Sequence, residues 1–160
     1  KGFIDKNNLY ITGGSAGGIA TAYAIGLTNR FNAAVAAKPV VNWISKTLTA
    51  DSSVGQIRHQ FPGYPWDHFD EYWRRSPLSL VGNVKTPTLL LTGEQDRRTP
   101  MSETEQYFQA LQLLGVPSAM VRLPDSPHGI ANRPSRLISK VDHILAWFAR
   151  YSEAPASSSN

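Results

Sequence analysis

The glycine-rich stretch TGGSAGG at residues 12–18 constrains the fold more than any other part of the sequence. It follows a short apolar run and precedes a small-residue segment with helical composition. A serine between glycines at a strand-to-helix turn fits the nucleophile-elbow pattern G-x-S-x-G. Such a turn strains the backbone at Ser15 and brings strand and helix close, so we expect a side chain at Gly13 or Gly17 to collide. The turn would expose the Ser15 hydroxyl and direct the Ala16 N–H towards an oxyanion.

Two other functions also fit a glycine-rich turn of this kind. It can bind a phosphate at the start of a helix, or it can simply let the helix pack tightly. The stretch lacks the G-x-G-x-x-G spacing of dinucleotide sites and the Lys of G-x-x-x-x-G-K-[ST]. On this stretch alone, all three interpretations stay open.

Composition excludes several classes of protein. The chain has 160 residues, of which 41% are hydrophobic and 18% charged, as expected for one globular domain. No apolar run approaches the roughly 20 residues of a membrane span, so we expect no membrane partner. The 16 basic and 12 acidic residues are scattered, and the only adjacent basic pairs are 74–75 and 97–98. A nucleic-acid surface needs a denser basic stripe, so we expect no nucleic-acid partner.

The absence of cysteine excludes disulfides, thiolate chemistry and cysteine-ligated metals. It leaves the compartment open, with the cytoplasm favoured. The chain opens at Lys1 without an initiator Met, which suggests a piece of something longer.

Apolar runs alternate with helical segments along the chain. Four short runs are predicted strands: residues 9–13, 33–37, 88–92 and 119–123. Four segments are predicted helices: residues 17–28, 67–75, 102–114 and 134–151. Residues 41–63 show no period and predict loops and short helices. This alternation predicts a mostly parallel α/β sheet with helices on both faces.

Details of the helices can also be predicted. Asp67 fits the N-cap of the second helix, and Ser102 with Glu105 fits a capping box at the third. The last helix carries an apolar stripe with the 3.6-residue period of a helix: Leu137, Ile138, Val141, Ile144, Leu145 and Phe148. We expect the domain to cover residues 1–151 and the low-complexity tail, residues 152–160, to be disordered.

Ser15, Asp96 and His128 each follow the end of a separate predicted strand. Sites in parallel sheets gather at the carboxyl ends of strands, so we expect these side chains to meet. Acyl transfer by serine needs a base for the hydroxyl proton and a carboxylate that orients the base. The chain order serine, acid, histidine is that of the α/β-hydrolases.

Other histidines are poorer candidates for the base. His143 lies inside the last helix beside its apolar stripe, and His59 and His68 lie between the serine and the acid, which breaks the chain order. His128 lies in the tight loop SPHG, which can present an imidazole to a cleft.

Glu94 and Asp125 compete with Asp96 for the acid. Glu94 lies too near the strand end to reach far, and Asp125 belongs to the loop of the base itself. We therefore rank Asp96 first, with a loop or helix-capping aspartate as the alternative.

Three blocks together resemble a known family: GGSAGG at residues 13–18, LTGEQD at 91–96 and PHGI at 127–130. They look like the prolyl oligopeptidase family of serine peptidases, and residues 133–148 are similar to its acylaminoacyl-peptidase-like branch. The resemblance implies an α/β-hydrolase fold, with Ser15 as nucleophile, Asp96 as acid and His128 as base. It also implies cleavage of short peptides or acyl-peptides without metal or cofactor. A related esterase or lipase with the same triad is the alternative.

The chain departs from the family at positions near the expected pocket. Ala16 stands where Tyr is frequent, although its backbone N–H can still bind an oxyanion. Thr99 stands where Val is usual, in a loop that borders the pocket in relatives. Val41, Asn42 and Trp43 follow the second strand, and we predict that they line the pocket. The aromatic residues of the irregular region either line an apolar site or fill the core under loops: Phe61, Tyr64 and Trp66.

The resemblance also implies parts that precede the elbow, namely a β-propeller and the first half of the hydrolase sheet. We therefore expect the chain to be the C-terminal half of an α/β-hydrolase fold, whose partner is the remainder of the parent chain. The second oxyanion donor would come from that remainder. The first strand would lie at an uncovered edge, so homo-oligomers through this edge are possible. A catalytically incomplete fragment that serves as an interaction piece is a further alternative.

Overall fold

The computed structural model describes residues 4–152. Its centre is a parallel sheet of four strands in the order β1-β2-β3-β4. The strands are β1 (Tyr10–Gly14), β2 (Ala33–Ala37), β3 (Thr88–Gly93) and β4 (Ser118–Leu123). All four agree with the predicted strands to within one residue, and the sheet is parallel throughout.

Helices connect the strands, as a parallel sheet requires. They are α1 (Ala16–Leu27), α2 (Trp43–Thr49), α3 (Ser53–Gln60), α4 (Phe69–Arg74), α5 (Met101–Leu113) and α6 (Pro134–Arg150), with 3₁₀ turns at Pro77–Asn83 and Ile130–Asn132. The irregular region therefore contains short helices, as its lack of period predicts. No helix in the described part of the chain is long and apolar enough to cross a membrane.

Helices cover both faces of the sheet. On one face, Ile25 of α1 and Leu111 of α5 pack against Ala34 of β2. On the other face, Trp147 of α6 packs against Val35. Neighbouring residues of β2 serve opposite faces because side chains alternate along a strand. The small alanines of β2 let the helices lie close to the sheet.

Both predicted caps are wrong. The helix α4 begins at Phe69, and Asp67 lies in the preceding turn, where its N–H donates to Tyr64 O at 3.1 Å. The helix α5 begins at Met101, so Ser102 lies inside its first turn and cannot cap it. Glu105 does not reach back to the helix start but pairs with Arg122, Nη1 to Oε1 3.4 Å.

The apolar stripe of α6 packs on the sheet only towards its C-terminal end. Ile144 and Phe148 contact the sheet together with Trp147, which the stripe did not include. The other members of the stripe are exposed: Leu137 (45%), Ile138 (60%), Val141 (41%) and Leu145 (61%). Only Ile144 and Phe148 of the predicted stripe therefore pack against the sheet.

The predicted disordered tail lies outside the described residues from residue 153 onward. Its first residue, Ser152, is described, and its hydroxyl lies 2.6 Å from that of Tyr10 in β1. Within residues 4–152, β1 pairs with β2 alone, and Thr12 of β1 is exposed.

Candidate active site

Ser15 sits between β1 and α1 with a strained backbone. Its φ of 58° and ψ of −117° are uncommon for a residue with a side chain. The Ser15 N–H donates to Ala37 O at 3.0 Å, which ties the turn to β2. The side chain therefore projects at the carboxyl end of the sheet.

The glycines around Ser15 allow this turn, although not as predicted. A Cβ at Gly13 would lie 2.4 Å from Gly17 O, so the expected collision at Gly13 is present. A Cβ at Gly17 would meet nothing within 4 Å, so the same expectation for Gly17 is wrong. The close approach to β2 occurs one residue later, since a Cβ at Gly18 would lie 2.5 Å from Ala37 O.

Asp96 follows β3, and its side chain is fully buried. Its Oδ1 accepts the backbone N–H groups of Arg98 at 2.9 Å and Thr99 at 2.8 Å. Its Oδ2 accepts the Thr99 hydroxyl at 2.9 Å. A buried carboxylate needs such partners, and here they come from the residues that directly follow it.

His128 lies between Asp96 and Ser15. Its Nδ1 is 2.8 Å from Asp96 Oδ2, and its Nε2 is 3.0 Å from Ser15 Oγ. A carboxylate can only accept hydrogen bonds, so Nδ1 carries the proton and the Nε2 lone pair faces the hydroxyl. The arrangement can remove the proton from Ser15 Oγ.

Contacts that the sequence pattern did not predict tie the loop of His128 to the loop of Asp96 and to the end of β2. A Cβ at Gly93 would lie 2.1 Å from Ser126 O, and the Gln95 N–H donates to the same oxygen at 3.0 Å. Lys38, which has a φ of 43°, donates from Nζ to the backbone oxygen of His128. Burial lowers the pKa of Lys38, and the charge of Asp96 opposes that shift. A glycine at the end of β3 was the available signal for the first contact.

The competing acids and histidines lie elsewhere. Glu94 pairs with Arg122 (Oε1 to Nε, 3.3 Å), and Asp125 accepts a hydrogen bond from the Gln95 side chain at 3.2 Å. The imidazole of His143 is exposed and its Nδ1 lies 2.6 Å from Ser139 O. Within residues 4–152, none of the competing groups bonds to Ser15: Glu94, Asp125, His59, His68 and His143.

Ala16 is the first residue of α1 and is exposed. The first N–H groups of a helix have no acceptor within the helix, and this end of the helix dipole is positive. The Ala16 N–H is therefore free of intrahelical bonding beside the Ser15 hydroxyl.

A pocket of about 270 Å³ opens beside Ser15. Its lining comes from five parts of the chain: Ser15, Ala16, Ile19, Val40, Trp43, Lys46, Gln56, Gln60, Arg98, Thr99 and His128. Trp43 and Thr99, both proposed from the sequence, are among these lining residues. Val41 does not line it, because the side chain of Val41 points into the core and Val40 faces the pocket instead.

Three other aromatic residues considered for the pocket, Phe61, Tyr64 and Trp66, do not line it. Phe61 is buried and stacks on Tyr72, with ring centroids 3.8 Å apart. Tyr64 and Trp66 stack on each other at 4.8 Å and are exposed. Of the three, Phe61 alone fills the core.

Glu103, which the sequence pattern also did not single out, holds the segment between β2 and α2. Its Oε2 accepts the N–H groups of Val41 at 3.0 Å and Asn42 at 2.9 Å, and its Oε1 accepts the Ser45 hydroxyl. The side chain is fully buried, and burial raises the pKa of its carboxyl. Because Trp43 follows directly, Glu103 fixes one wall of the pocket.

Known proteins resemble the whole described chain. The sequence model of the prolyl oligopeptidase family matches residues 1–154. The uncharacterized peptidase YuxL of Bacillus subtilis is 37% identical over 150 residues, which cover 92% of this chain and 23% of that protein. Acylamino-acid-releasing enzyme 1 of Oryza sativa is 32% identical, over 94% of this chain and 21% of its own length.

Solved structures agree with the sequence matches. The acylaminoacyl peptidase of Pyrococcus horikoshii superposes with a TM-score of 0.86 at 23% identity, covering 98% of this chain and 26% of that one. A puromycin-hydrolyzing peptidase of Mycobacterium tuberculosis gives a TM-score of 0.84 at 28% identity, covering 94% and 23%. The chain thus spans about a quarter or less of these proteins and has part of an α/β-hydrolase fold. From the family match and these relatives, the chain belongs to the prolyl oligopeptidase family.

Proposed function

We propose that this chain carries the nucleophile, acid and base of a serine peptidase that hydrolyses short peptides or acyl-peptides. One observation carries the proposal: His128 lies within hydrogen-bond distance of both Ser15 Oγ (3.0 Å) and Asp96 Oδ2 (2.8 Å). Membership of a peptidase family supports the reaction class.

In the proposed mechanism, His128 Nε2 takes the hydroxyl proton as Ser15 Oγ attacks the substrate carbonyl. Asp96 keeps Nδ1 protonated and stabilises the imidazolium that forms. The imidazolium then gives its proton to the leaving amine, which departs and leaves an acyl group on Ser15. A water molecule, deprotonated by the same Nε2, hydrolyses this acyl-enzyme and restores the hydroxyl.

The Ala16 N–H is one donor to the oxyanion of each tetrahedral intermediate. One lost donor in such a site costs about 10²–10³ in kcat, so a second donor matters. We assign the second donor to the part of the hydrolase sheet that longer relatives carry outside the matched segment. If the 160 residues alone fold but do not turn over substrate, they correspond to the incomplete fragment considered above.

Names of relatives support a peptide substrate. Several are acylamino-acid-releasing enzymes, and one solved acylaminoacyl peptidase holds Z-Gly-Gly-Phe-chloromethyl ketone. An esterase would use the same three side chains, so the bond that is cleaved distinguishes the two activities. We expect higher kcat/KM for an acetyl-aminoacyl amide than for the matched ester once both are corrected for their uncatalysed rates.

The first prediction concerns Ser15 in the protein at its full natural length. Ser15→Ala should lower kcat for acetyl-aminoacyl amides by about 10⁴-fold or more, because no nucleophile remains. Ser118→Ala is the matched control, since Ser118 begins β4 at the opposite edge of the sheet. Undiminished turnover in Ser15→Ala would refute the assignment, and turnover of esters alone would favour the esterase.

A further inference from the structure

The pocket beside Ser15 has an unusual charge. Its lining includes the cationic side chains of Lys46 and Arg98 and no carboxylate. The charge of Arg98 is compensated, since its Nε donates to Asp51 Oδ1 at 2.8 Å. Within residues 4–152, no carboxylate lies within ion-pair distance of Lys46 Nζ.

Lys46 is also unusual in its burial. Its side chain is 1% exposed, although it forms part of the pocket wall. An ammonium has three donors, and Lys46 Nζ uses one for Ser52 Oγ at 2.9 Å. The ring of Trp43 lies 5.9 Å from Nζ and adds a weak attraction. Two donors therefore remain for a further acceptor.

The electrostatics around Lys46 favour an incoming anion. Burial lowers the pKa of Lys46, and the charge of Arg98 adds to that shift. The acids that oppose the shift, Asp51 and Glu103, are engaged elsewhere, one by Arg98 and the other by the backbone of residues 41 and 42. A buried ammonium without a close counter-charge is costly, and a carboxylate from outside would relieve that cost.

We propose that Lys46 is a specificity-determining residue that favours substrates with a carboxylate side chain on the residue whose carbonyl is attacked. This inference rests on the function proposed above. The Ser15 hydroxyl and the Ala16 N–H, which would bind the attacked carbonyl group, line the same pocket as Lys46. A substrate bound there directs its acyl-side residue into the pocket, towards the ammonium.

The alternative is that Lys46 only links α2 to Ser52 at the start of α3. That role would affect all substrates alike. A charge-selective role instead changes the ratio between an acidic substrate and its neutral isostere. The experiment therefore measures this ratio.

The test compares the coumarin amides of N-acetyl-glutamate and N-acetyl-glutamine, which differ only in charge at the acyl-side residue. For the unmodified protein at its full natural length, we expect kcat/KM about tenfold higher for glutamate, as for one charge-assisted hydrogen bond. Lys46→Met preserves the side-chain volume and should reduce this ratio to within about twofold of unity. Lys85→Met is the control, because Lys85 is exposed and lies before the amino end of β3, whereas the pocket lies at the carboxyl ends of the strands.

A second measurement keeps the two proposals apart. Binding of both amides to the Ser15→Ala variant requires no turnover, and we expect the same preference for glutamate, lost on adding Lys46→Met. Equal or weaker binding of glutamate, or a ratio unchanged by Lys46→Met, would overturn the inference even if hydrolysis occurs. If Ser15→Ala binds the glutamate amide preferentially but the unmodified protein hydrolyses neither amide, the inference about Lys46 is supported and the proposed function is not.

Discussion

Asp96 differs from the nearby acids because residues that follow it hold its carboxylate. Two backbone N–H groups and the Thr99 hydroxyl donate to it, and its second oxygen also faces His128. Asp125 lies in the loop of the base but contacts Gln95. Asp96 contacts the imidazole of His128 although it is distant in sequence, whereas Asp125 is close in sequence but its side chain bonds to Gln95 instead.

Our second prediction is that Asp96→Asn lowers kcat/KM by about 10⁴-fold, because an amide cannot hold His128 in the required tautomer. Steady-state kinetics on the full-length protein measure the loss. Asp125→Asn should leave kcat/KM within about twofold of the unmodified protein, since an exposed surface change of this kind has little effect. Comparable losses in both variants would contradict the role assigned to Asp96.

At this scale the sequence predicts that three polar side chains lie close together, and their side chains are within hydrogen-bond distance, whereas the residues that support them are predicted poorly. Ser15, Asp96 and His128 follow strands, and the carboxyl ends of parallel strands must lie at one edge. Whether Val40 or Val41 faces the pocket depends on how Glu103 turns the backbone after β2. No local pattern encodes that turn, because Glu103 is distant in sequence.

Among the structural elements, the loop after β3 packs against the loop after β4. Gly93 ends β3 against the backbone of Ser126, at a separation that only glycine permits. The Glu94 N–H also donates to Leu123 O at 3.1 Å, so the two loops share hydrogen bonds along their length. The distance between Asp96 and His128 follows from this contact.

Our third prediction is that Gly93→Ala lowers kcat/KM by about 100-fold, as expected for a shift of about 1 Å between reacting groups. The added Cβ would lie 2.1 Å from Ser126 O, so one of the loops must move. Gly82→Ala is the control, because a Cβ at Gly82 meets nothing within 4 Å. Full activity in Gly93→Ala would show that the paired loops do not set the site geometry.

Our fourth prediction concerns the buried Glu103 in α5. Burial raises the pKa of its carboxyl, so the folded state binds the proton more tightly than the unfolded state. The free energy of unfolding should therefore fall as pH rises from the usual carboxyl pKa of about 4.3 to the raised pKa of the folded state, by about 1.4 kcal/mol for each pH unit between them. Above the raised pKa the loss is complete.

Thermal unfolding of the unmodified protein and of Glu103→Gln between pH 4 and pH 8 tests this sign. The melting temperature of the unmodified protein should fall relative to that of Glu103→Gln as pH rises. Glu105→Gln, on the same helix and about half exposed, controls for the loss of a carboxylate. An opposite trend would mean that the hydrogen bonds of Glu103 outweigh its burial.

The apolar runs predict the strands, whereas no pattern in the sequence predicts where the helices α4 and α5 start. The inner strands β2 and β3 are fully buried along their length and consist mostly of contiguous apolar residues, so their limits are visible in the sequence. The starts of α4 and α5 instead follow turns at residues 64–68 and 96–99, whose hydrogen bonds no cap pattern in the sequence reveals. Ser102 and Asp67 match cap patterns, but Ser102 lies inside α5 and Asp67 lies one residue before His68, which occupies the cap position of α4.

At the scale of the whole molecule, two surfaces favour association. The four exposed residues of the α6 stripe form an apolar surface over about two helical turns, and β1 has a free edge within the described residues. Contiguous apolar patches and open strand edges both promote contacts between chains.

Our fifth prediction is that the 160-residue chain by itself self-associates, as measured by sedimentation velocity. Ile138→Lys with Leu145→Lys should shift the distribution towards monomer, because both side chains are exposed in the stripe. Leu113→Lys, an exposed change on α5, should not. A monomeric unmodified chain would contradict the prediction.

The central claim is that Ser15 is a nucleophile activated by His128, and a fluorophosphonate probe tests it most directly. Trypsin cleavage after Lys6 and Arg30 releases residues 7–30, in which Ser15 is the only serine. After labelling of the full-length protein, mass spectrometry should find the adduct on this peptide, and both Ser15→Ala and His128→Ala should abolish it. An adduct on another peptide, or labelling undiminished in Ser15→Ala, would contradict the account.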